Sequence, residues 1–204
     1  MQKVVCYVDG FNLYHGLRSK GWKKRYWLDL WALANRYLLS NQKLTNLMYC
    51  TARVKQDVEG LTRQLAYIDA LCAHCERIQV VYGNCLVKKV RCPDCGAKRL
   101  QHEEKMTDVN IACHLLRDAM ENKFDTALII SADSDLAPPI EMIRERFPEK
   151  RIIVLFPPNR VSKVLLKVSH GHRRIAESDL WQSQLPTHVK LPNGKILYRP
   201  AKWS

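Results

Sequence analysis

The sequence predicts an α/β fold with a mostly parallel central sheet, helices on both faces, and a small Cys-containing insertion at about 84–102. Three observations predict it. Strand-like and helix-like segments alternate along the chain. The strand-like segments are short and apolar throughout, instead of alternating apolar with polar, as strands buried on both faces do. A length of 204 residues suits one domain with a proper core and is short for two.

Lys3–Val8 reads as a short buried strand ending at Asp9-Gly10. Leu28–Leu39 has helical spacing in Leu30, Leu33, Ala34, Tyr37 and Leu38. Leu47–Val54 is strand-like, and a long helix near Asp57–Cys75 follows, with an apolar stripe of Leu61, Leu65, Ile68, Cys72 and Cys75. Ile78–Tyr82 is the next strand and leads into an irregular stretch reaching about Gln101. Thr107 is a good N-cap for a helix over Asp108–Glu121, whose inner face would carry Ile111, Ala112, Leu115, Leu116 and Ala119. The strand Ala127–Ser131 comes next, then Ala132-Asp133-Ser134-Asp135 and a helix opened by Pro138-Pro139. Arg151–Phe156 is a further strand, stopped by Pro157-Pro158. Val161–Val168 looks helical, Ser178 can cap a last short helix to about Leu185, and Pro192-Asn193-Gly194-Lys195 suits the turn of a small hairpin.

The net charge is +13, with 33 Lys and Arg against 20 Asp and Glu. Lys150–Ser204 holds 11 of the basic residues and only two acids, Glu177 and Asp179, so basic charge gathers in the last quarter. Such a field favours a polyanion through counterion release, although a solvated, solubility-promoting surface fits the charge equally well. Arg160, Lys163, Lys167, Arg173 and Arg174 are candidates for tracking phosphates. Trp22, Tyr26 and Trp27 interleave with Lys20, Lys23, Lys24 and Arg25, which suits base stacking or simply aromatics packed onto the fold. No apolar run is long enough to span a bilayer, the basic residues do not alternate with an aromatic face, and MQKVVCYVDGFN is unlike an export signal. The expected setting is cytoplasmic, off the membrane, with homo-oligomerisation left open.

In open parallel sheets, ligands bind beyond the carboxyl ends of the strands. Asp9 follows the first strand, Asp133 and Asp135 follow the strand Ala127–Ser131, and Asp108 opens a helix. Each alone also fits a turn, a cap or a charge favoured by the helix dipole. Together they form an oxygen-only set suited to Mg²⁺ or Mn²⁺, which relieves the repulsion among clustered carboxylates. Such an ion serves phosphodiester hydrolysis. Asp125 and Asp118 are set aside: the first starts the strand whose far end carries Asp133, and the second lies turns away from Asp108 along its helix. Asn12 could orient a water or phosphate, or cap a helix. Ser131, Ser134 and Lys105 could meet phosphate, against the ordinary alternatives of backbone bonding and a solvated lysine.

These residues resemble known motifs. Val8-Asp9-Gly10-Phe11-Asn12-Leu13-Tyr14, Glu104-Lys105-Met106-Thr107-Asp108-Val109-Asn110 and Ser131-Ala132-Asp133-Ser134-Asp135-Leu136 resemble, in order, three motifs of the NYN domain. That family is a branch of the PIN-like nuclease superfamily, and the LabA-like branch is the nearest in kind. The resemblance runs from about Lys3 to Phe156, with Ala132 for the usual Gly and Leu136 for the usual Phe. It implies a PIN-like three-layer α/β/α fold over 1–170, with 171–204 as a basic extension. It also implies a Mg²⁺- or Mn²⁺-dependent endoribonuclease whose metal-binding acids are Asp9, Asp108, Asp133 and Asp135, with Asn12 beside the metal or the scissile phosphate. A nucleic-acid-binding module with a silent acid site is the alternative. A nucleotide-handling enzyme of another fold is disfavoured, because no G-x-x-x-x-G-K-[ST] loop is present.

Eight cysteines without an export signal are expected to be reduced. Cys6, Cys50 and Cys113 fall in core elements. Cys92-Pro-Asp-Cys95-Gly96 resembles a zinc knuckle, and Cys85 and His102 flank it, so a structural zinc on Cys85, Cys92, Cys95 and His102 stands against a metal-free loop. His74 and Cys75 are reserve ligands, since Cys72 and Cys75 continue a helix stripe.

Overall fold

The computed structural model describes residues 1–54, 57–75, 77–91 and 95–203, and the backbone alone for 85–89 and 98–105. Its centre is a six-stranded, all-parallel sheet. The strands are β1 (Gln2–Asp9), β2 (Gln42–Thr51), β3 (Ile78–Tyr82), β6 (Thr126–Ile130), β7 (Arg151–Phe156) and β8 (Gly171–Arg174), with β4 and β5 lying outside the sheet. The spatial order is β3-β2-β1-β6-β7-β8. The chain winds outward from β1 in one direction and from β6 in the other, so the order reverses between these two neighbours.

Continuous apolar strands need cover on both faces, and their period of two divides the core accordingly. Val4, Cys6 and Val8 of β1 join Leu47, Leu128 and Leu155 in one buried cluster. That face is covered by helices α1 (Gly10–Ser19), α2 (Leu30–Asn35) and α3 (Val58–His74), and by α7 (Glu177–Gln182) later in the chain. Val5 and Tyr7 join Met48, Ile129 and Val154 in the other cluster, under α4 (Thr107–Met120), α5 (Ala137–Arg146) and α6 (Lys163–Val168). Three layers result, as the α/β reading requires.

Several boundaries moved for local reasons. Helix α1, absent from the expected elements, starts directly from β1 with Asp9 as its cap. Strand β2 begins at Gln42 because it pairs with β1 from Gln2 onward, a partnership its polar first residues do not advertise. Helix α2 is shorter than its apolar spacing suggests, starting after Asp29, which accepts the Ala32 amide proton at 2.9 Å. Thr107 is not the cap of α4: Met106 holds that position at φ 80°, and Thr107 is the buried first helical residue. Ser178 likewise lies inside α7, after Ala176 at the cap position. Ser162 does cap α6, accepting from Leu165 at 3.3 Å. The stretch 84–102 contains an antiparallel hairpin of β4 (Asn84–Arg91) and β5 (Lys98–Lys105). Strand β8, at the start of the expected extension, is the sixth strand of the sheet. Beyond it, Ile175, Leu180, Leu185 and Val189 are buried in the first cluster, and β9 (His188–Lys190) and β10 (Ile196–Tyr198) form the tail hairpin.

Cys6 and Cys50 are core residues, whereas Cys72 and Cys113 are exposed. The buried face of α3 runs through Tyr67, Ile68, Ala70 and Leu71, leaving Cys72 on the solvent side. Trp27 is fully buried and donates its indole N–H to the Pro186 carbonyl at 2.7 Å, so it is a core anchor and offers no stacking surface. Trp22 and Tyr26 are half-buried against the same core. Among the described residues, no helix is long and apolar enough to cross a membrane.

Candidate active site

Strand order reverses between β1 and β6, and in α/β sheets ligands occupy the crevice outside the carboxyl ends of the strands at such a reversal. Val8 pairs with Ile130, so Asp9 and Ser131 leave the sheet side by side. Asp9 is 6% exposed. Its Oδ1 accepts the Asn12 amide proton at 2.9 Å and its Oδ2 accepts the Ser131 hydroxyl at 2.9 Å. Ser131 in turn accepts the Asp133 amide proton at 3.0 Å, and Asp133 Oδ1 accepts the Asp135 amide proton at 3.0 Å. One chain of hydrogen bonds thus joins the end of β1 to the Asp133–Asp135 turn. Asn12 adds a second strut, its Oδ1 accepting from the Ala132 amide at 3.2 Å. The polar groups buried here are paired with one another, which fixes the loop in one arrangement.

Glycine permits the close fit of α1. A Cβ at Gly10 would stand 2.7 Å from the Tyr49 ring and 2.9 Å from the Cys50 carbonyl. A Cβ at Gly16 would stand 2.8 Å from the Pro158 carbonyl. Helix α1 therefore lies flat on β2 and on the loop after β7, and Asp9 stays at the carboxyl end of β1. Burial pushes the Tyr49 phenol up to about 12, so it stays protonated.

Asp108 occupies the first turn of α4, half-buried, and that helix packs against the short turn Ser134–Leu136. Asp135 and Ser134 are exposed. Asp9, Asn12, Asp133 and Asp135 therefore meet at one edge, with the helix of Asp108 beside them. Ser131 is fully buried and links acids, instead of facing a substrate. Arg160 is half-buried in the turn after β7, where its amide donates to the Pro157 carbonyl at 3.1 Å. The Lys105 side chain lies outside the described residues. Among those residues, no group of three or more His, Cys, Asp or Glu stands close enough to hold a metal ion. The donors are nevertheless hard oxygens, and Mg²⁺ is commonly held by one or two carboxylates, several waters and substrate phosphates. The open acid edge fits that manner of binding.

The thiolate set is spread out. In the hairpin ladder Cys85 faces Glu104 and His102 faces Val87, whereas Cys95 belongs to the turn beyond the Arg91–Lys98 pair. At roughly 3.3 Å per residue, that separates Cys85 from the tip by about 20 Å, several times the reach of a Zn–S bond. The zinc set itself falls outside the described residues, since Cys92 is among the undescribed ones, as are the side chains of Cys85 and His102. The reserve pair behaves differently: His74 Nε2 lies 3.3 Å from Asp29, and the Cys75 thiol lies 3.5 Å from it. Burial, reinforced by Asp29, pushes that thiol up to about 12.

Comparison with known proteins bears on the family and the fold. The family model of the NYN domain matches residues 3–175. A relative in Pseudomonas putida, named 6-hydroxy-3-succinoylpyridine 3-monooxygenase, is 29% identical over 98% of this chain and 75% of its own length. A crystal structure of a protein of unknown function from Vibrio parahaemolyticus superposes with a TM-score of 0.54. It is 18% identical, over 86% of this chain and 94% of that one, which establishes likeness of fold.

Proposed function

The chain belongs to the NYN domain family, and on that premise we propose that it is a metal-dependent endoribonuclease acting at the carboxyl edge of β1 and β6. The observation that carries the reading is the hydrogen-bonded link from Asp9 through Ser131 to Asp133 across the switch point of the sheet. One or two of Asp9, Asp108, Asp133 and Asp135 would ligate Mg²⁺ or Mn²⁺ directly, with waters and substrate phosphate completing the shell and the remaining acids acting through those waters. When bound, such an ion neutralises charge on a phosphoryl oxygen and acidifies a water. Asn12 and Ser131 keep Asp9 and the Asp133 turn in place, and exposed Asp135 is positioned to take a proton from an attacking water. RNA as the polymer follows the family, and the basic surface around Arg160 supports a polyanion.

Incubation of single-stranded and structured RNA with Mn²⁺ tests this. Wild type is expected to cut, and Asp133→Asn to lose at least about a hundredfold in rate, since several kcal/mol of charge stabilisation disappear. Asparagine still accepts the Asp135 amide proton, so folding is spared. Equal cutting by both would overturn the assignment.

The Pseudomonas putida relative favours a second reading, a monooxygenase of hydroxylated pyridines. One oxygen atom of O₂ would enter the ring and the other leave as water, with two electrons and two protons drawn from an external two-electron reductant. Reductant consumption dependent on 6-hydroxy-3-succinoylpyridine, without RNA cleavage, would select it.

A further inference from the structure

Helix α1 carries a second pattern on the side facing away from the sheet. Leu13 and Leu17 point into the core, while Tyr14, His15 and Arg18 are exposed and Phe11 is half-buried. Phe11, Tyr14, His15 and Arg18 recur at three- and four-residue spacing, which places them on one stripe. The rings are neighbours: Phe11 and His15 have centroids 6.2 Å apart, Tyr14 and His15 5.5 Å, and Tyr14 and Tyr26 5.2 Å. An exposed stripe of rings contributes nothing to the core, and Tyr14 is 42% accessible.

Cations flank the stripe. Partial burial, then Arg160 and Arg18, hold the His15 imidazole below its ordinary value of 6.5, so its ring is neutral at physiological pH while both guanidiniums lie near it. The contact of Gly16 with Pro157 and Pro158 brings the Arg160 turn against α1. Lys20, Lys23 and Lys24 are exposed where α1 runs into the next turn. The stripe begins at Phe11, beside Asn12 and two residues from Asp9, and runs roughly 10 Å to Arg18 at 1.5 Å per residue.

We infer that the outer face of α1 is a base-stacking track that leads a single-stranded polynucleotide away from the acid site, with Tyr14 and His15 as its exposed rings and Arg18 and Arg160 on the phosphates. This rests on the nuclease reading and gives it a substrate class: unpaired strands, because rings can stack only on bases that are splayed out. Duplexes present phosphates but no base faces to such a surface.

Binding of a short fluorescein-labelled oligouridylate, measured by polarisation in chelator with the full chain carrying Asp133→Asn, separates binding from cutting. Tyr14→Ala and His15→Ala added to that chain are each expected to raise Kd about tenfold, the order of one lost base–ring stack. Tyr14→Phe and His15→Phe should bind as the parent does, and a fully paired RNA hairpin should not respond to any of the four. Unchanged Kd in both alanine variants overturns the track, as does equal loss in alanine and phenylalanine variants. Asp133-dependent cleavage by wild type together with unchanged Kd removes the track and keeps the nuclease. Ring-dependent binding without any Asp133-dependent cleavage keeps the track and removes the nuclease.

Discussion

Acids stand at both ends of this sheet, and the two ends differ in how far those acids are buried and in what they meet. At the amino edge, Asp118 is buried beneath the Tyr7 hydroxyl at 2.7 Å and the Arg117 guanidinium at 2.8 Å, and Asp125 accepts the Lys3 amide proton at 2.6 Å. Lys150 is 3% exposed there, donating to the Asn122 side chain at 2.7 Å and to the Phe124 carbonyl at 3.0 Å. At the carboxyl edge, Asp9 and Asp133 accept from backbone amides and a serine hydroxyl, and Asp135 faces solvent. Asp118 is buried against a guanidinium, whereas Asp133 and Asp135 at the carboxyl edge reach solvent, where a ligand can meet them.

The sharpest test of the comparison exchanges charge for an isosteric amide at each end. Asp9→Asn should reduce RNA cleavage by about a hundredfold or more, while its melting temperature stays close to wild type because an asparagine cap serves α1 equally well. Lys150→Met should do the reverse. Urea titration should show a loss of about 2 kcal/mol, from the buried Phe124 carbonyl left without a donor, with activity per folded molecule unchanged. Asp118→Asn should cost somewhat less, about 1–2 kcal/mol, since Tyr7 can still donate to the amide oxygen; activity should again hold. Loss of cleavage in either amino-edge variant, at temperatures where it is folded, would break the distinction between the ends.

The smallest effect concerns β8 and pH. His170 Nδ1 accepts the Ile152 amide proton at 3.1 Å, and its own amide donates to the Ile152 carbonyl at 2.9 Å. Burial first, then Arg144 and Arg151, hold its pKa below the ordinary 6.5. The folded value lies below the unfolded one, so this stabilisation is full above pH 6.5 and is lost as pH falls through the lower folded value. The protection factor of the Ile152 amide should fall on acidification by the equivalent of less than about 1 kcal/mol, and a His170→Gln variant should flatten that response.

The parallel sheet was legible because its strands are buried on both faces and read as unbroken apolar runs. Asp9 and Asp133 were legible because each directly follows such a run. Helix α1 was not, since its first turn is Gly10-Phe11-Asn12, and the need for glycine comes from Tyr49, a residue of another strand. The hairpin at 84–105 was legible only as an irregular stretch across which Cys85 and His102 could meet, because its strands are polar and backbone pairing supplies the order. The thiolate set was read from spacing alone, and spacing does not report which residues a ladder places opposite one another.

By itself, then, the sequence determined the fold class, the family motifs and the acids that end the strands, all of which depend on local patterns of burial and turning. Only the tertiary structure decided that β1 and β6 are neighbours, that Ser131 joins their acids from within, and that Tyr14 and His15 face outward beside Arg160. Periodicity along a chain says that a segment must be buried. Which partner buries it is settled by packing two faces of one sheet at once, across more than a hundred residues of sequence.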